Sequence, residues 1–220
     1  MVNSRLRLTL CVVFMLALVS VPAAADVVYD NGPIFGNGDA WTINFGFVVS
    51  DTFTISGGNS TITGLSFGGH AFPGDILESV EVSITSNEDG GTTYFDQVVN
   101  TTQSSCSVNQ YGFNVCLESA AFNGPTLSNG TYWLNLQNAV TNTGDPAYWD
   151  ENSGVGCQSP GCPSMASVST VGTIPSESFT LYGNASGTGT VPEPGSLFLL
   201  MGGVLGLARV VGRKLCGTRD

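Results

Sequence analysis

The residues best equipped for chemistry in this chain lie in Ala147-Tyr148-Trp149-Asp150-Glu151-Asn152-Ser153-Gly154. Two carboxylates beside two aromatic rings suit a saccharide: the rings stack on the sugar and the acids accept its hydroxyl hydrogen bonds. The same acids could cleave a glycosidic bond as an acid/base pair. With Asn152 they could instead supply oxygen ligands to calcium. Neighbouring residues of a strand point to opposite faces, so Asp150 and Glu151 alone make a poor acid/base pair. No EF-hand spacing surrounds them. The plainer expectation is a turn with Trp149 buried and both acids solvated. Tyr148, Trp149, Asp150 and Glu151 are the ligand-binding candidates. No catalytic residue, metal site or cofactor is assigned. Calcium at these acids, or at Asn87-Glu88-Asp89-Gly90-Gly91, is the alternative to a simple turn.

Other catalytic constellations are missing their parts. His70, in Phe67-Gly68-Gly69-His70-Ala71-Phe72, is the one histidine of the chain. No Gly-x-Ser-x-Gly elbow accompanies it, so a serine hydrolase triad is not expected. A loop or strand-end histidine is the expected role. Walker-type phosphate loops and histidine clusters for metal are also absent from the sequence.

The elements that must position these residues read as strands. Residues 26–189 are rich in Gly, Ser, Thr and Asn, and no window repeats apolar side chains at helical spacing. Short alternating runs occur at 79–85 (SVEVSIT), 131–136 (TYWLNL) and 178–182 (SFTLY), with further candidates at 41–47, 52–55, 61–67, 93–99, 113–117 and 167–171. Gly-rich turn signals separate them. Eight or nine such strands without helical crossovers predict an all-β fold, an antiparallel β-sandwich of jelly-roll type in one domain. Its twelve core aromatic candidates include Phe45, Phe53, Phe67, Phe72 and Phe179.

Both ends differ from this centre. Arg5 and Arg7, an apolar run over 8–21 and Pro22-Ala23-Ala24-Ala25 form a signal peptide, with cleavage expected after Ala25 through small residues Ala23 and Ala25. The domain is expected over 26–182, followed by a flexible Gly/Ser/Thr linker at 183–190. Next come Val191-Pro192-Glu193-Pro194-Gly195-Ser196, an apolar stretch and the basic residues Arg209, Arg213 and Lys214. Twelve uncharged residues, 197–208, extend to sixteen at Gly212 only by including Arg209. Sixteen helical residues reach about 24 Å, short of the ~30 Å hydrocarbon core. A single hydrophobic helix over about 197–212, marginal as a span, suits a segment held in the inner membrane and then cut.

Charge follows the same division. Sixteen of the seventeen acids lie between Asp26 and Gly195, and all six Lys and Arg lie outside that interval. Retention of positive charge inside membranes sets the centre as exported. A region without cations cannot neutralise phosphates, so nucleic acid is excluded as its partner, and Lys/Arg salt bridges cannot hold its fold together. Four cysteines fall in the exported part. Oxidising surroundings predict disulfides, with Cys106–Cys116 and Cys157–Cys162 the simplest pairing of three.

The tail from Val191 to Lys214 resembles the PEP-CTERM sorting signal of exported bacterial proteins. Pro192-Glu193-Pro194 corresponds to its signature triplet, and Arg209, Arg213 and Lys214 to its terminal basic group. The resemblance covers 191–215 and implies recognition by an exosortase, after signal peptidase has acted at the other end. It implies a bacterium with an outer membrane that makes exopolysaccharide, and a product at the cell surface or in the extracellular matrix. Here the sequence continues past the basic group, through Leu215 to Asp220. The function expected from residues and resemblance together is a non-enzymatic surface or matrix protein associated with polysaccharide or biofilm. A carbohydrate-binding module is the alternative, and a secreted glycoside hydrolase a third reading.

Overall fold

Alternating side chains build strands throughout the part of the chain that the computed structural model describes, residues 25–152 and 164–185. The elements are β1 Asp26–Asp30, β2 Ala40–Thr42, β3 Val49–Ile55, β4 Ser60–Ala71, β5 Leu77–Asn87, β6 Gly90–Asn100, β7 Thr102–Val108, β8 Asn114–Ala121, β9 Thr126–Leu127, β10 Gly130–Thr141, β11 Tyr148–Asp150, β12 Ala166–Val168, β13 Gly172–Ile174 and β14 Phe179–Ala185. They form two antiparallel sheets, one of eight strands and one of six. The all-β sandwich expected from the sequence is therefore present. The signal peptide, the tail with its apolar stretch, Cys157 and Cys162 lie outside the described residues. No helix among the described residues is long and apolar enough to cross a membrane.

The eight-stranded sheet is built on β4, which carries two partners along each edge. On one edge β14 pairs with residues 60–67 and β11 with Gly69 and His70. On the other, β9 pairs with Ser60 and Thr61, and β8 with residues 64–71. β1 extends the sheet beyond β14, β2 beyond β11 and β7 beyond β8. The second sheet runs β13-β12-β3-β10-β5-β6.

The period-2 pattern explains what fills the space between the sheets. Val80, Val82 and Ile84 of β5 face Leu134 and Leu136 of β10, Phe53 and Ile55 of β3, and Leu65, Phe67, Phe179 and Leu181 of the opposing sheet. Trp149 lies fully buried among them, its ring edge-on to Phe67 and Phe179 at centroid distances of 6.2 and 5.7 Å. Its indole N–H donates to the Ser178 carbonyl at 2.9 Å.

Three readings of strands and turns are corrected. Residues 147–152 do not form a turn: β11 and isolated bridges at Glu151 and Asn152 tie this stretch to β2, β4 and neighbouring loops. Within 41–47 only Ala40–Thr42 is strand, because Phe45 and Gly46 both take positive φ (56° and 87°) and turn the chain. Phe45 is consequently exposed rather than core, and so is Phe72. The last strand runs to Ala185, three residues into the expected linker. There Gly183 meets β4 so closely that a Cβ would come within 2.1 Å of the Thr61 carbonyl oxygen. That glycine serves close strand approach.

Candidate functional site

Buried acids define the polar part of this domain. Asp51, Glu118, Asp150, Glu151 and Glu177 are all at most 5% exposed. The expectation of solvated acids at Asp150 and Glu151 is thus overturned. The physical reason lies in alternation on β11: with Trp149 in the core, its neighbours Tyr148 and Asp150 fall on the other face of the sheet, beside His70 and Gly68. The loop between β1 and β2 covers that face. Phe35 and Gly36 donate their backbone N–H groups to Asp150 Oδ2 at 2.8 and 2.9 Å. His70 Nε2 lies 2.6 Å from Asp150 Oδ1, an ion pair when the ring is protonated. His70 does stand near a strand end, as the sequence implied, but it is buried and partnered. Among the described residues the His70–Asp150 pair is the one contact between a basic ring and an acid. Gly68 makes room for it, since a Cβ there would meet Asp150 Cβ at 2.9 Å and Ser178 Oγ at 2.6 Å.

A cleft of about 650 Å³ opens beside this pair. Its aromatic lining is Phe35, Tyr111, Phe113 and Tyr148; its polar lining includes Asn37, Asp39, His70, Asn109 and Glu151. Two loops position these groups. At the tip of the β7–β8 hairpin, Asn109 Oδ1 accepts the N–H groups of Tyr111 and Phe113, both at 3.0 Å. Asn109 Nδ2 then donates to the Gly36 carbonyl at 2.9 Å, fastening the hairpin tip to the β1–β2 loop. The Cys106–Cys116 disulfide, observed as expected, closes the same hairpin. In the β1–β2 loop, Gly38 is the necessary residue: a Cβ would lie 2.1 Å from the Phe35 ring and 3.0 Å from Glu151 Oε2.

Electrostatics separates these acids. Burial pushes the Glu151 carboxyl up to about 7, with repulsion from Asp39 and Asp150 adding and a backbone hydrogen bond from Asp39 offsetting. Glu177, bridged to Glu151 through the backbone, is held well above the usual carboxylate range by complete burial, then by Asp51, Glu151, Asp150 and Asp39. Neither of its carboxyl oxygens has a hydrogen-bond partner, and neither does Glu151 Oε1. Asp51 is raised to about 6 by burial, against hydrogen bonds from Ser164, the Glu177 backbone and Ser176. Glu118, opposite Gln103 in the β7–β8 ladder, is raised to about 7 by burial, partly offset by Gln103.

Of the four ligand-binding candidates, Tyr148 and Glu151 line the cleft. Trp149 is removed from any sugar by the core, and Asp150 is occupied by two backbone N–H groups and His70. Phe35 and Phe113, two of the twelve expected core aromatics, line the cleft instead, and nothing in the sequence reading singles out Asn37, Asp39 or Asn109. The available signal was their turn chemistry, Phe35-Gly36-Asn37-Gly38-Asp39 and Asn109-Gln110-Tyr111-Gly112-Phe113, in which aromatic residues alternate with loop formers. Among the described residues, no group of three or more His, Cys, Asp or Glu is placed to hold a metal ion.

No curated protein matches this chain. Residues 190–214 match the PEP-CTERM protein-sorting motif, over the tail that carries Val191, Pro192, Glu193, Pro194, Arg209, Arg213 and Lys214. The chain thus carries a PEP-CTERM sorting motif beside the domain, which supports an exported protein sorted by an exosortase.

Proposed function

We propose that this protein is a non-enzymatic component of the cell surface or extracellular matrix, held in a polysaccharide-rich layer through its cleft. The observation that carries the reading is the pairing of an aromatic wall, Phe35, Tyr111, Phe113 and Tyr148, with inward polar groups in a space of saccharide size. A two-sheet β-sandwich with a cleft lined by aromatic and polar side chains is consistent with a carbohydrate-binding module. Signal peptidase at Ala25 and an exosortase near Pro192-Glu193-Pro194 are the processing partners, and the inner membrane is a transient station.

The test is retention of the full chain, in mild detergent, on immobilised polysaccharides spanning neutral, anionic and amino-sugar polymers. Retention on at least one, lost in Tyr111→Ala and Tyr148→Ala, is expected. No retention on any of them overturns the reading. A glycoside hydrolase is the second reading, favoured by Glu151, whose carboxyl near 7 is in the range of a general acid and faces the charge of Asp39. Release of reducing ends, abolished in Glu151→Gln, would establish it instead.

A further inference from the structure

The cleft contains an acceptor without a donor. Glu151 is 5% exposed, lines the cleft, and leaves Oε1 without a hydrogen-bond partner. A buried carboxylate oxygen left unpaired is costly, and a donor arriving from the cleft would relieve that cost. Asp39, also lining the cleft, repels it, and Glu177 behind it is fully buried with both oxygens unpartnered. No Lys or Arg occurs anywhere from Asp26 to Gly195 to balance them. The one histidine is already engaged by Asp150.

These features discriminate among ligands. An anionic sugar would meet Asp39 and Glu151 with no cation to receive it, an arrangement that rejects like charge. A neutral sugar could donate a hydroxyl hydrogen to Glu151 but would leave the repulsion between the acids in place. A protonated amine donates three hydrogens, supplies the missing positive charge and can rest against the faces of Tyr111 and Tyr148.

We infer that the cleft selects a saccharide carrying a free, protonated amine, seated with its ammonium group at Glu151 and Asp39 and its ring against Tyr111 and Tyr148. This inference rests on the proposed polysaccharide-binding role and gives its ligand class.

The test is titration calorimetry of the full chain in mild detergent at 150 mM salt with three probes: a glucosamine tetramer, an N-acetylglucosamine tetramer and a tetrameric polyuronate. Glucosamine tetramer is expected to bind at least tenfold more tightly than the acetylated one, with no binding of the uronate. Glu151→Gln is expected to remove most of that preference. Glu88→Gln and Asp96→Asn, which alter exposed acids away from the cleft, are expected to leave it unchanged. Equal binding of both amino-sugar probes overturns the inference while leaving the polysaccharide role intact. Equal weakening by Glu88→Gln and Glu151→Gln also overturns it, by reducing the effect to general attraction between polycation and acidic protein. Tight uronate binding with rejection of both amino-sugar probes overturns the inference alone. No binding of any probe, together with no retention on any polysaccharide column, overturns both.

Discussion

Asp51 and Glu177 are chemically similar acids a few bonds apart in one hydrogen-bond network, yet they live in opposite circumstances. Asp51 accepts from Ser164 Oγ at 2.5 Å, the Glu177 backbone N–H at 2.7 Å, and Asn31 Nδ2 and Ser176 Oγ at 3.0 Å each. Glu177 offers two oxygens to nothing. Asp51 shows what a buried acid looks like when the fold uses it as glue, gathering β3 and the segments before β12 and β14. Glu177 and its neighbour Glu151 show buried acids with oxygens to which the fold offers no donor. The contrast separates an acid that organises structure from acids that the fold buries without a donor.

The largest expected effect breaks the closed half. Asp51→Ala removes the shared acceptor of the Asn31 amide, two serine hydroxyls and the Glu177 backbone N–H, leaves that N–H unpaired in the interior, and is expected to lose roughly 3–5 kcal/mol in urea unfolding. Asp51→Asn, which keeps an acceptor, should cost clearly less.

Next comes pH. In the unfolded chain these acids ionise near their ordinary values, whereas the folded domain holds the Asp51 proton to about 6 and those of Glu118 and Glu151 to about 7. Raised carboxyl values contribute their stability fully below about pH 4, and that stability is lost as pH rises through 6–7. Asp51 alone accounts for a fall of about 2 kcal/mol between pH 4 and 7. Thermal melts should therefore be highest in mild acid; a midpoint that climbs towards pH 8 would refute the assignment.

Removing the Cys106–Cys116 bridge by a double serine substitution should cost about 2–3 kcal/mol, given the ten-residue separation. It should also loosen the Asn109 tip more than the Asp51 network, detectable as faster hydrogen exchange at Tyr111 and Phe113. The smallest effect sharpens the open half. Glu177→Met replaces an unpartnered carboxyl by an apolar chain of similar length, so it should stabilise by about 1 kcal/mol at pH 8 and lose that gain by pH 4. A destabilisation as large as that of Asp51→Ala would erase the distinction between the two acids.

The sequence carries the sheets well and the acids poorly. Alternation located β5, β10 and β14 because their apolar residues fall on one face with Ser, Thr and Glu on the other. β11 escaped, since three residues bearing two aromatics and an acid show no period and its acid points under a loop rather than into solvent. Burial of Asp51 and Glu177 was illegible for a general reason: acids are placed outside unless a cation accompanies them, and here none does. The one local sign is hydroxyl enrichment around them, Ser50 before Asp51 and Ser176 and Ser178 flanking Glu177. The cleft depends on Asn109 reaching Gly36 across 73 positions, a contact no local pattern encodes.

The placement of β14 has a mechanical consequence. Asp26 lies opposite Gly183, so the first and last strands run side by side, and β14 is bonded on its other edge to β4. A pull on the Ala185 end along β14 would load both of its edges together. Its ladders with β1 and β4 then bear the load in shear, many bonds together, instead of opening one at a time from an edge. If the domain is held in a polymer layer as proposed, that geometry resists unravelling under tension.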